Sequence, residues 1–255
     1  MKNPIDRLVL AASLATVLII AGCATEKTDA IPVQSAPGVT TTNATTTTPR
    51  ERTPGAQATM SPQDALAKLR AGNERFAAGQ SRARNLPAEV RSTSGGQYPF
   101  AVIVSCLDSR APVELLFDQG IGDLFNARVA GNVLNDDILG SLEFACKASG
   151  AKLIVVLGHS NCGAVKGAID NVELGKLTGL LDKIKPVIAQ VPQTVQPRTA
   201  KNDDFVQKVA DANVRLVMQQ IRDQSPILRE MLDAGQIGLE GGMYDLASGQ
   251  VHLWP

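Results

Sequence analysis

The groups in this chain best suited to chemistry are two thiols, an imidazole and a carboxylate–guanidinium pair, and they fall in two short segments. One reads Cys-Leu-Asp-Ser-Arg and carries Cys106, Asp108 and Arg110; the other reads His-Ser-Asn-Cys and carries His159 and Cys162. Thiolate and imidazole are zinc ligands, and three protein ligands leave a fourth position open for water or substrate. In an exported chain, Cys106 and Cys162 could instead oxidise to a disulfide. That alternative gives no reason for an imidazole beside Cys162, so the spacing favours a metal while leaving the disulfide open. Cys146 falls in an apolar helical stretch and reads as a small buried hydrophobe.

Each segment follows an apolar, β-branched run, residues 100–104 and 153–157, of the kind that forms parallel strands buried on both faces. If those strands are neighbours, their C-terminal ends lie side by side, where open α/β sheets hold their sites. A third strand is predicted over residues 123–129. Helices are expected over 61–79, 112–117, 136–148, 162–169, 177–188, 205–221 and 226–232. Ser61 as N-cap, Pro62 at the first helical position and Asp64 in the first turn mark the start of the first helix. Its apolar stripe of Leu66, Leu69 and Phe76 is narrow for a core face and suggests contact with a partner subunit. Residues 237–244 and 251–254 read as a hairpin turning at 247–249. The alternation predicts an α/β fold: a central, mostly parallel β-sheet flanked by helices, with an antiparallel edge strand and an N-terminal helical arm.

The chain of 255 residues carries no formal net charge and only 4% aromatic residues, so it lacks the electrostatic footprint of a nucleic-acid binder. At its start, Lys2 and Arg7 precede an apolar run over residues 8–21, of signal-peptide rather than membrane-span length. The run ends in Ile20-Ala21-Gly22-Cys23, similar to the lipobox of bacterial lipoproteins. That resemblance implies a signal peptide over 1–22, lipidation of Cys23 and a lipid-anchored protein of the cell envelope. Ala24 points by the same analogy to the outer membrane facing the periplasm; an ordinary secretory signal is the alternative. Residues 23–59, rich in Thr, Pro, Ala and Gly, read as a flexible linker with too little apolar surface to repay its ordering. The folded domain is then residues 60–255.

Beyond the two ligand segments, Gly122-Asp123 with Phe125, Arg128-x-Ala130-Gly131-Asn132 and Gly158-His159-x-x-Cys162-Gly163 stand in a distinctive order. Together with Cys106-x-Asp108-Ser109-Arg110, this pattern resembles the β-class carbonic anhydrases over residues 61–254, down to Tyr244-Asp245-Leu246. The resemblance implies that Cys106, His159 and Cys162 bind Zn²⁺ and that a zinc-bound hydroxide converts CO₂ reversibly to bicarbonate and a proton. Asp108 would accept a hydrogen bond from the bound oxygen, and Arg110 would hold Asp108 ionised with its planar fork. A plain ion pair at a strand end is the alternative for these two. In some relatives the aspartate itself ligates zinc in a closed form.

Gln97, Phe125 and Phe144 match positions around an apolar substrate pocket, although an aromatic in such an element is often simply core. The Gly163 N–H, at a helix start, matches a contact to bicarbonate oxygen. The resemblance also implies self-association as a dimer or tetramer, with helix 61–79 across the neighbour and sites near the interface. Where some bacterial relatives place a tryptophan of an inhibitory bicarbonate site, this chain has Ile103. His252 is the only histidine besides His159 and is a candidate for proton release. Two other readings stay open: a same-fold hydrolase of carbonyl sulfide or carbon disulfide, and a non-catalytic zinc-binding lipoprotein.

Overall fold

In the computed structural model, which describes residues 53–254, helices and strands alternate as expected. The helices α1 (Pro54–Ala58), α2 (Pro62–Ala77) and α3 (Leu86–Thr93) lead into β1 (Ala101–Ser105), α4 (Val113–Leu116) and β2 (Leu124–Arg128). Then come α5 (Asp136–Glu143), β3 (Leu153–His159), α6 (Gly163–Ile169), α7 (Gly175–Leu181) and α8 (Lys185–Ile188). The chain ends with α9 (Asp203–Gln224), α10 (Pro226–Asp233), β4 (Gly238–Tyr244) and β5 (Val251–Leu253). One five-stranded sheet runs β2-β1-β3-β4-β5. The first four strands are parallel, and β5 returns antiparallel on β4 as the expected edge.

Both faces of β1 and β3 are covered, which is why their sequences are apolar without alternation. Val102, Val104, Ile154 and Val156 face a core shared with α9 residues Val209, Val214 and Val217. Ala101, Ile103, Leu153, Val155 and Leu157 face a second core with Leu69 of α2 and Leu116 of α4.

Helix α2 opens with a reciprocal capping box: Ser61 Oγ accepts from the Asp64 N–H, and the Asp64 carboxylate accepts from the Ser61 N–H. Of its narrow apolar stripe, Leu69 is fully buried in the chain's own core beside Ala65, while Leu66 and Phe76 are half-buried against it. Close approach makes this possible. A Cβ at Gly72 would stand 1.8 Å from the Phe117 carbonyl oxygen, so only glycine lets α2 lie so near. Asn73 then ties the helix down, donating to Leu116 O and Gly249 O and accepting from Val251 N–H.

Several elements differ from expectation. The linker expected to run to residue 59 is helical by Pro54, capped by Thr53. Its Gln57 amide is buried and donates to the Pro99 and Ser149 carbonyls, so the folded part extends upstream of residue 60. Helix α3 was not expected; it buries no residue, and its Leu86 and Val90, one turn apart, are exposed. The helix expected over 136–148 widens after Glu143 into a π turn, Phe144–Ala148. That over 177–188 breaks before α8 because Pro186 lacks the N–H a continuing helix needs. The leader over 1–22, Cys23 and the linker up to residue 52 lie outside the described residues, none of whose helices is long and apolar enough to cross a membrane.

Candidate metal centre

Strand register brings the two ligand segments together. Ser105, the last residue of β1, is aligned with Leu157 of β3. Cys106 therefore leaves the sheet beside His159, the last residue of β3. Cys162 follows one turn later as the N-cap of α6. The two sulfurs and a ring nitrogen of His159 all lie within 4.8 Å of one another, and all three residues are buried. Both cysteines are free thiols, so the disulfide alternative does not hold in this structure.

His159 Nδ1 is 2.9 Å from the Ser160 carbonyl. A carbonyl only accepts, so Nδ1 carries the proton and Nε2 presents its lone pair. That Nε2 is buried without any hydrogen-bond partner. An unpaired buried polar atom is costly. Two soft sulfurs beside such an imidazole form a donor set that fits zinc.

The thiols are unequal. Contact with the Cys162 thiol, then the nearness of the His159 ring and the N–H groups of Gly131 and Asp108, draws the Cys106 pKa down against its burial. The same contact, with burial and the Cys106 charge, pushes Cys162 up, although the N–H groups of Val165 and Ala164 oppose this. Burial works most strongly against a charged His159 ring, but Cys106, the Ser160 carbonyl and the Asp108 charge together outweigh it and raise its pKa.

Asp108 borders this cluster. Arg110 grips it from two sides, Nε to Oδ1 at 2.9 Å and Nη2 to Oδ2 at 2.7 Å, and the Arg110 N–H adds a third bond at 3.0 Å. Chiefly through the Arg110 side chain, and despite partial burial, the Asp108 carboxyl sits well below the usual carboxylate range. Its Oδ2 is 3.8 Å from His159 Nε2.

Arg128, present in the sequence pattern but without an expected role, holds this segment from behind. Its Nε donates to Cys106 O at 3.0 Å and its Nη2 to Asp108 O at 2.5 Å. On the other side, Ser160 Oγ accepts from Leu246 N–H and donates to Asp245 Oδ1, steadying the turn after His159. Asn213 of α9, whose Nδ2 donates to the Gly131 carbonyl at 2.8 Å, drew no expectation from the sequence; its one signal was an amide set among apolar residues at helical spacing.

Within one chain the residues expected around the substrate pocket lie apart from the three cluster residues. Phe125 and Phe144 meet edge to face at 6.2 Å between centroids. They line a separate cavity of about 670 Å³ with Val102 and Ile138, and none of Cys106, His159 and Cys162 lines it. Gln97 is exposed, and Phe144 is 56% exposed. Gly163 opens α6 directly after Cys162. His252 lies on β5, beside a different hollow shared with Asn73 and Glu74. Ile103 is fully buried in the core beneath α2.

Residues 101–251 match the family described as carbonic anhydrase. Carbonic anhydrase 2 of Mycobacterium tuberculosis is 35% identical over 195 residues, covering 75% of this chain and 92% of that protein. The β-carbonic anhydrase CafA of Aspergillus fumigatus superposes with a TM-score of 0.60 at 28% identity, over 75% of this chain and 89% of that one. One of two tetrameric β-carbonic anhydrases from Sordaria macrospora superposes with a TM-score of 0.59 at 24% identity, over 75% and 95%.

Proposed function

This chain belongs to the β-class carbonic anhydrase family, and on that premise we propose that Cys106, His159 and Cys162 hold the zinc ion with which it hydrates CO₂ reversibly to bicarbonate and a proton. The observation carrying this reading is the buried, partnerless His159 Nε2 between two free thiols, with the Arg110-bound Asp108 carboxylate at its edge. Zinc in that cluster supplies a Lewis acid that makes a water molecule nucleophilic near neutral pH.

The chain's own residues supply the rest. His159 is presented as a neutral ligand by its bond to Ser160 O. Arg110 keeps Asp108 ionised and aimed, so the carboxylate can accept a hydrogen bond from the nucleophile and so orient the nucleophile's lone pair toward CO₂. Arg128 holds the carbonyls on either side of Leu107, keeping Cys106 and Asp108 in mutual register.

The Phe125–Phe144 cavity and Gln97 complete an apolar substrate pocket near the interface of a dimer or tetramer; the exposure of Phe144 supports an origin between subunits. Lipidation at Cys23 would tether the enzyme in the cell envelope, on the support of the sequence alone. Cys23→Ser should then release the protein from the membrane fraction.

Stopped-flow CO₂ hydration with metal analysis of the same sample tests the main reading. Asp108→Asn should abolish turnover while zinc stays bound in a one-to-one ratio. Near-normal turnover in that variant removes Asp108 from the mechanism. A zinc-loaded wild-type protein that leaves CO₂ untouched but consumes carbonyl sulfide refutes the substrate.

A further inference from the structure

The buried face of α9 is built from Phe205, Val206, Val209, Ala210, Val214, Val217 and Ile221, with one polar exception, Asn213. Asn213 is only 1% exposed. Burying an amide costs free energy unless its hydrogen bonds are made. Here only one of its two polar atoms is paired: Nδ2 donates to the Gly131 carbonyl at 2.8 Å, and Oδ1 has no partner. An apolar residue would suit the face better, so the Nδ2 bond is the feature that gives this amide a purpose.

That bond lands on a residue with two ends. Gly131 lies in the turn after β2 with φ of 67° and ψ of 18°, a left-handed conformation that glycine adopts without penalty and leaves as easily. Its carbonyl is held by Asn213, and its N–H donates to Cys106 Sγ at 3.3 Å. Fixing the carbonyl fixes the tilt of the residue that aims this N–H. Asn213 thus reaches the metal cluster through one glycine, across 82 residues of sequence.

We propose that Asn213 is a positioning residue for the Cys106 sulfur, acting through Gly131 to direct an N–H···S hydrogen bond onto a zinc ligand. The inference rests on the zinc reading above. Outer hydrogen-bond partners of metal ligands characteristically change metal affinity on mutation by about 10–100-fold.

The test uses the full-length protein loaded with zinc or with cadmium-113. In the cadmium form, the Gly131 amide should show scalar coupling to the metal through the sulfur. Asn213→Leu should abolish that coupling and weaken zinc in a chelator competition by about tenfold or more. Val217→Ala, on the same helix face, should lower stability yet leave both readouts unchanged, which separates positioning from packing. If Asn213→Leu does not fold, Asn213→Gln takes its place, since its longer reach displaces Gly131 and should weaken zinc by the same order. Absence of the coupling in wild type overturns the proposal. So does a folded Asn213 variant whose coupling persists and whose zinc affinity stays within about twofold of wild type. A wild-type protein that takes up neither metal stoichiometrically refutes the zinc reading itself and is told apart by that first measurement.

Discussion

Gly131→Ala perturbs both the backbone and the packing at the turn that faces Cys106, and the structure sets the size of each effect. At φ of 67°, an alanine incurs a left-handed backbone cost of about 1–2 kcal/mol. Its Cβ would also stand 2.7 Å from Ile184 Cδ1 and 3.1 Å from Ala164 Cβ. Overpacking of this kind costs about 1–3 kcal/mol, toward the lower end where the crowded atom is the far end of a flexible side chain, as Ile184 Cδ1 is. The sum is a loss of about 2–4 kcal/mol.

Ile184→Val removes the crowding atom. Alone it should cost about 1 kcal/mol, because Ile184 is fully buried and loses one methyl's packing. In the Gly131→Ala background the same change relieves the clash, so the double variant should be more stable than additivity predicts by about 1 kcal/mol. Urea unfolding of the zinc-stripped protein, at one protein concentration, measures all four corners of the cycle. With a slope of about 2 kcal/mol per molar urea, Gly131→Ala alone should lower the midpoint by roughly 1–2 M. Additivity within about 0.5 kcal/mol would mean that Ile184 does not confine the glycine, and the packing account of this turn would be refuted.

Arg128→Ala removes the guanidinium that spans the Cys106 and Asp108 carbonyls; turnover should fall about 10–100-fold while the thermal midpoint changes little, because the side chain is exposed. Arg128→Lys, lacking the fork, should not rescue it; stopped-flow hydration beside a thermal melt checks both. Gly72→Ala should destabilise by about 2 kcal/mol or more in urea unfolding, although helix propensity alone predicts a gain of about 1 kcal/mol, because the new Cβ meets Phe117 backbone oxygen at 1.8 Å. A raised midpoint would show that α2 can shift freely. Burial pushes the Cys146 thiol up to about 12, so iodoacetamide at pH 8 should leave it unmodified in the folded protein and label it in urea, as read by peptide mass mapping.

Legibility in the sequence followed physical range. Ser61 and Pro62 announced α2 because caps act within one turn, and β1 and β3 were readable because two-sided burial leaves an unbroken apolar run. Helix α1 was hidden by Thr53-Pro54-Gly55, which reads as a breaker until Gln57 finds Pro99 and Ser149. Leu69 looked too isolated for a core face because the sequence does not show how closely Gly72 lets α2 approach. Phe125 and Phe144 were expected to line an apolar substrate pocket; within one chain they meet edge to face and line a cavity that touches none of the three cluster residues.

By itself the sequence determined the donor chemistry: two thiols, one imidazole and an aspartate two residues from its arginine, each at the end of a strand. Local periodicity and short spacings suffice for that, since they depend only on backbone geometry within a few residues. Tertiary structure decided which strand ends meet. The order β2-β1-β3 sets Cys106 beside His159, and long-range contacts place Arg128, Asn213 and Leu246 around them. Those contacts follow from sheet register and from how closely α9 and α2 approach the sheet, quantities fixed only when all the elements pack at once.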